Sequence, residues 1–242
     1  MTWVGFAMVG AAVFVAALTQ VLSGFGFALM SVPLMTLAVP TKEAVVISTL
    51  LGAGVSSWQA WHLRRETLRP VATRMVISAY VGMPFGFWVF VSVADSVLRA
   101  LLGVAILAAV VLLAARIDLR HVGPGLDAGA GFVSGVLNTS LSTNGPPLVF
   151  ALQARHLEAD AFRATINTVF ACSNVLGVSL FVLAGRVTSD GVTAAVIAFP
   201  ALVAGQLAGL PLRRHVAGER FRLLVMVLLV VAALSTILSA FG

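Results

Sequence analysis

A chain of 242 residues in which 60% are hydrophobic and only 10% are charged is not a water-soluble domain, where charged residues make up about a quarter. A mean hydropathy of +1.06, with apolar runs near the ~20 residues that cross a bilayer, implies an integral membrane protein. The net charge of +6 does not argue for nucleic acid, because Arg and Lys in short loops set the orientation of membrane helices.

The chain opens Met1-Thr2-Trp3-Val4, and its first Lys or Arg is Lys42. A cleaved signal peptide carries positive charge ahead of its apolar stretch, so this run is expected to belong to the mature protein. Apolar segments are expected at 4–22, 27–39, 44–61, 71–91 and 100–115. After a linker, five more are expected at 128–141, 145–152, 164–184, 192–210 and 223–241.

The two sets of five read as a repeat, with halves 1–116 and 128–242 around a linker at 117–127. "GMPFG" (Gly82 to Gly86) precedes Arg99 as "GQLAG" (Gly205 to Gly209) precedes Arg222, and each stands before the last apolar run of its half. "KEAVVIST" (Lys42 to Thr49) and "ADAFRATI" (Ala159 to Ile166) open the third run of each half with an acid and small residues. Each half also begins with a broken segment, at "SGFGFALMSVP" (Ser23 to Pro33) and "STNGPP" (Ser142 to Pro147). Paired breaks in two halves are a transporter pattern.

Charge orients the halves. If every broken segment crosses once, eight spans alternate and the basic residues divide almost evenly. If the segment around "STNGPP" turns back, loops 62–74, 116–127, 153–163 and 211–222 share one side. They then hold all but Lys42, Arg99 and Arg186 of the 15 Lys and Arg, the bias a membrane protein should show. Length agrees: at ~1.5 Å per residue, neither 128–141 nor 145–152 spans a ~30 Å core. The expected fold is therefore an all-α polytopic membrane protein. It has two homologous four-helix halves in an inverted repeat, each with a broken or re-entrant first segment, and about eight transmembrane segments.

Non-helical backbone survives at membrane depth only inside protein or beside a wet cavity. Pro146 and Pro147 suit the first turn of a half-helix, and Ser142, Thr143 and Asn144 its N-cap region. Such an end offers free N–H groups and a partial positive charge, which favours an anion. Gly24-Phe25-Gly26 would supply the matching end of the other half. The breaks are thus expected to form a midplane site from Gly24, Phe25, Gly26, Ser142, Thr143, Asn144 and Gly145. Asn138 and Gln20, each just before a break, are candidates to line it. Asn167 and Asn174 suit interhelical hydrogen bonds and ligand contacts equally. Ser48, Gly52 and Ser56, like Gly82/Gly86, Gly131/Gly135 and Gly205/Gly209, have the spacing of close helix packing.

All nine acids and all four histidines lie in or beside expected loops, so no paired-carboxylate, nucleophile–base or metal chemistry is expected, and no cofactor. Cys172 reads as a small buried hydrophobe. No phosphate-binding glycine loop is present for ATP. An anion channel and a structural membrane subunit remain alternatives to a carrier, although no charged ring or filter motif is seen.

"LTQVLSGFGFALMSVPLM" (Leu18 to Met35), "FVSGVLNTSLSTNGPPLVFAL" (Phe132 to Leu152) and "FRATINTVFACSNVLG" (Phe162 to Gly177) resemble the sulfite exporter TauE/SafE family, also called the 4-toluene sulfonate uptake permease family. The resemblance implies a multi-pass carrier in the bacterial inner membrane. Its cargo would be sulfite, an organosulfonate or a related sulfur or carboxylate anion, moved by alternating access between the two breaks. The family's glycine-rich break corresponds to Gly24, Gly26 and Pro33, its second break to Asn138, Asn144, Gly145 and Pro146, and its basic residue opening the next helix to Arg163. This chain has "STNGPP" where many relatives are richer in glycine. A coupling proton or sodium ion, the lipid bilayer and a homo-oligomer are the partners such a carrier would have.

Overall fold

The computed structural model describes residues 2–23, 25–114, 123–153, 155, 157–212 and 219–241. They form ten helices: α1 (Trp3–Ser23), α2 (Phe27–Met35), α3 (Thr41–His62), α4 (Arg69–Ser92), α5 (Asp95–Ala114), α6 (Pro124–Leu141), α7 (Gly145–Gln153), α8 (Ala159–Leu183), α9 (Ser189–Leu212) and α10 (Glu219–Phe241). No strand occurs among the described residues. Five stretches are long and apolar enough to cross a membrane, at 3–22, 69–92, 95–112, 159–183 and 189–212. The chain is a multi-helix membrane protein, as composition requires.

Packing follows the glycines. On α4, a Cβ at Gly82 or Gly86 would run into the carbonyls of Phe132 and Val136 on α6. On α6, a Cβ at Gly131 or Gly135 would run into the carbonyls of Met75 and Ala79 on α4. The two helices thus touch backbone to backbone, the use expected for this spacing. On α9, a Cβ at Gly205 would stand 2.5 Å from the Phe14 carbonyl and one at Gly209 2.8 Å from the Val21 side chain of α1. α4 packs on α6, α9 on α1, α3 on α8 and α5 on α10.

Polar contacts sort the loops into two ends. At one end, the fully buried carboxylate of Asp127, in the first turn of α6, accepts hydrogen bonds from Arg74 at the start of α4 (Nε 3.0 Å, Nη2 2.8 Å). It accepts others from Arg155, two residues beyond α7 (Nε 3.2 Å, Nη2 2.8 Å). The Leu68 N–H, before α4, reaches Thr165 Oγ1 at 3.1 Å near the start of α8. At the other end, Asp95 caps α3, accepting from the N–H groups of Thr41 (3.0 Å) and Lys42 (2.9 Å). The Asp127–Arg155 contact brings the end of α7 back to the start of α6, so α6 and α7 form a hairpin bent at Ser142–Asn144.

One expectation changes. α6 begins at Pro124, inside the stretch read as linker, and has 18 residues rather than ~14. Asp127 looked like a loop residue by its charge, but two guanidinium groups neutralise it, and Gly123-Pro124 is a favourable helix start. α6 is therefore about 27 Å long, and only α2 and α7, of nine residues each, are half-helices.

Candidate functional site

α6 ends on Ser142 in the left-handed conformation (φ 60°), the one described non-glycine residue with positive φ. Its N–H bonds the Asn138 carbonyl at 2.9 Å, and the next N–H, of Thr143, bonds the Leu137 carbonyl at 3.2 Å. A non-glycine residue held there costs about 1–2 kcal/mol, and such strain collects at functional positions. Ser142 is held from its side chain: Oγ lies 3.1 Å from Thr49 Oγ1 and 3.4 Å from Ser48 Oγ. Ser48 Oγ in turn pairs with Ser31 Oγ at 3.0 Å. Hydroxyls from α2, α3 and the α6 cap therefore form one buried cluster. Ser142 thus closes α6, whereas the sequence suggested it belonged to the cap of the following helix.

The first break is built differently. Gly26 caps α2 with φ 97° and no side-chain hydrogen bond, a conformation suited to glycine. The first intrahelical bond of α2 runs from the Met30 N–H to the Gly26 carbonyl, so the preceding N–H groups, of Phe27, Ala28 and Leu29, point off the helix end. In α7, Pro146 and Pro147 carry no N–H, and the Asn144 carbonyl is bonded by Ser134 Oγ at 2.9 Å.

The two breaks meet. One cavity of about 30 Å³ is lined by Gly26–Leu29 from the first half and Ser142–Gly145 from the second. Gln20, Ser48, Gly52, Ser56, Phe170 and Asn174 complete its wall. None of these residues carries a charge. Two side-chain atoms in the break, Thr143 Oγ1 and Asn144 Nδ2, make no hydrogen bond among the described residues although both residues are at least 95% buried. An unpaired buried polar group costs about 1–3 kcal/mol, which a bound ligand would recover.

Of the sequence candidates, Gly26, Ser142, Thr143, Asn144, Gly145 and Asn174 line this cavity together, with Gln20. Gly24 lies outside the described residues. Phe25 packs behind the break, beside the position a Cβ on Gly145 would take. Asn138 is one layer back: its Nδ2 donates to Asn174 Oδ1 at 2.8 Å and so orients a cavity residue. Asn167 bonds the Arg163 carbonyl at 2.8 Å and does not line the cavity. Arg163 lines a second, larger cavity of about 650 Å³, where it stands with Trp58, Gln59, His62 and Gln206; its Nη1 is 3.4 Å from Asp160. Ser48, Gly52 and Ser56, read from the sequence as packing residues, line the inner cavity, and Gly52 leaves room for Asn174 Nδ2, 3.0 Å from where its Cβ would be. Gln59 and Gln206 were not singled out in the sequence. A Gln within an apolar helix, as in "GQLAG", was the available signal.

An all-helical membrane protein in which two interrupted segments enclose a neutral polar cavity belongs to the class of membrane transporters. The sulfite exporter TauE/SafE family matches residues 9–236, and the chain belongs to that family. It is a multi-pass membrane transporter of the anion-exporter type, and its relatives are transporters rather than enzymes. No curated protein and no solved structure matches the chain.

Proposed function

We propose that this protein is a secondary transporter carrying a small sulfur or carboxylate anion across the bacterial inner membrane by alternating access, with the anion held between the two breaks. The observation that carries this reading is the inner cavity, where neutral donors from both halves converge and two buried polar atoms lack partners. Backbone N–H groups at the start of α2 favour negative charge, and the Asn144 amide adds a donor. A site without Lys, Arg or acid binds an anion yet lets it leave, as a carrier requires. Its ~30 Å³ holds about two waters, so an oxyanion would displace water and widen the cleft.

We further infer that the halves are inverted. The contacts of Asp127 with Arg74 and Arg155, and of Asp95 with α3, group the loops as the one-sided distribution of Lys and Arg does. The basic end would then face the cytoplasm.

The test is uptake into proteoliposomes with sulfite, methanesulfonate and acetate as substrates. A hydrogen bond to a charged group contributes about 1.5–3 kcal/mol, so Asn144→Ala should weaken apparent affinity about 10- to 100-fold. Gly26→Val should be worse, because φ 97° excludes a branched residue. Ser92→Ala, at the exposed end of α4, should be silent. Parent-like transport by both Asn144→Ala and Gly26→Val would sink the reading.

A further inference from the structure

The way from the basic end of the bundle to the candidate site runs through the larger cavity. Among the described residues, Gln20 is the one that lines both spaces. The outer space, of about 650 Å³, begins at His62, Leu63 and Arg163 and reaches in past Gln59 and Gln206. These polar side chains give water the partners it needs there, and an anion can follow. Gln20, near the end of α1, is only 4% exposed. The route is therefore open as far as Gln20 and stops at its side chain.

A chain of amides from three helices holds Gln20 in place. Gln59 Nε2, on α3, donates to Gln206 Oε1, on α9, at 3.3 Å; Gln206 Nε2 donates to Gln20 Oε1, on α1, at 3.2 Å. Gln206 is thus the middle link, engaged on both sides. It follows Gly205, where a Cβ would stand 2.5 Å from the Phe14 carbonyl, so α9 lies close enough to α1 for the amides to meet. Amides suit a contact that must form and break. An unpaired polar group at membrane depth is costly, so the three glutamines pair with one another. They carry no charge that would trap or repel an anion, and a passing oxyanion accepts from the same N–H groups that its passage frees.

We propose that the Gln20–Gln206–Gln59 chain is the gate on the basic side of this carrier, and that it opens when Gln206 gives up its two amide partners and α9 moves off α1 and α3. The gate rests on the carrier reading above and deepens it, by assigning the residues that control passage between the outer cavity and the site. Gln59 and Gln206 line the outer cavity alone, so they act on passage and not on the bound anion.

The gate is tested without any ligand. In a Cys172→Ser background, Ser56→Cys puts one thiol in the wall of the inner cavity, at a position 2% exposed. Its labelling by an impermeant thiol reagent measures how often the path opens. The full-length protein is compared in right-side-out and inverted membrane vesicles. Gln206→Met keeps the side-chain length and removes both hydrogen bonds, and Gln59→Met removes one. Loss of one such bond shifts an equilibrium about 2- to 10-fold. Gln206→Met should therefore speed labelling about 4- to 100-fold and Gln59→Met about 2- to 10-fold, each only from the face that carries the loop between α3 and α4. Ser92→Ala should leave the rate unchanged. Unchanged rates in both glutamine variants would overturn the gate. So would an equal rise from both faces, because the glutamines would then merely hold the bundle together. Should Gln206→Met fail to fold, Gln59→Met decides alone. Methanesulfonate separates the gate from the anion reading. If it slows labelling of the reporter while the glutamine variants match the parent, the anion site stands and the gate falls. If methanesulfonate, sulfite and acetate all leave labelling unchanged while the glutamine variants speed it, the gate stands and the anion reading falls.

Discussion

Replacing Asp127 by Asn tests whether the arginine clamp is structural. The carboxylate is fully buried, and its two partners are partly open, with 37% of the Arg74 side chain and 29% of the Arg155 side chain exposed. Breaking a buried ion pair by changing one partner costs about 3–5 kcal/mol. Exposed ion pairs are worth little, and the partial exposure of both guanidinium groups puts the expected cost near about 2–3 kcal/mol. Asn also keeps one acceptor oxygen, which softens the loss. For a chain of this length each kcal/mol moves Tm by about 2–4 °C, so the purified variant should unfold about 4–12 °C below the parent. Fluorescence-detected unfolding in detergent measures that shift. Proteoliposome uptake at 20 °C should persist, because Asp127 lines neither cavity. A variant with parent Tm and no transport would refute the reasoning, since the carboxylate would then act in the transport cycle. A variant with parent Tm and parent transport would show that the clamp holds nothing.

Two further outcomes follow from the packing and the loop contacts. In a Cys172→Ser background, cysteines placed in loops 62–74 and 211–222 should both be protected from an impermeant thiol reagent in intact cells, while Arg186→Cys should label; labelling of the first two on opposite sides would rule out the inverted repeat. Gly86→Val and Gly135→Val, which each drive a side chain into a neighbouring backbone, should yield no monodisperse protein, whereas Gly54→Ala should fold at least as well as the parent, since Ala is the better helix former by about 1 kcal/mol and the space is open; equal behaviour of the three variants by size-exclusion profile would refute the glycine contacts.

Much of the fold could be read from the sequence because the bilayer leaves few choices. Apolar runs bounded by Pro, Gly and charge placed all ten helices, and paired Gly residues four apart marked the two close interfaces. The cavity could be read in outline because breaks in an apolar helix need a wet or buried reason. What could not be read is three-dimensional. Asp127 looks like any loop acid until Arg74 and Arg155 arrive from elements 53 and 28 residues away. Ser48, Gly52 and Ser56 have the spacing of a packing stripe, and only the arrangement of α2, α6 and α8 around α3 turns that stripe into cavity wall. Arg163 opens the expected helix, yet the charge lines the outer cavity, because the first turn of α8 belongs to the basic end of the bundle. The glutamine ladder is the clearest omission. Gln20, Gln59 and Gln206 come from three helices, and no spacing along the chain links them.

In the proposed repeat, α4–α6 and α1–α9 are corresponding pairs, and they close differently. α6 brings Gly131 and Gly135 to the two glycines of α4, so the backbones meet there, with the small side chains of Ser78 and Thr139 beside them. α1 has no such pair for α9. Its Gly10 faces open space, and Phe14, Ala17 and Val21 meet Gly205 and Gly209 instead. At Gly205 the α1 backbone comes close, at Gly209 the Val21 side chain does, and the 650 Å³ space lies beside Gln20, Val21 and Gln206. That space lies toward the end where Arg74, Asp127 and Arg155 gather, since Arg163 at the start of α8 is in its wall. In the proposed cycle this form is open to the basic side. Its counterpart would require α4 and α6 to part, which would break the hydrogen bond from Thr139 Oγ1 to the Met83 carbonyl, 2.6 Å long, that joins them. The glutamines would close the path between α1 and α9, since the Gln206–Gln20 bond already joins these helices at Gln20, which lines both cavities.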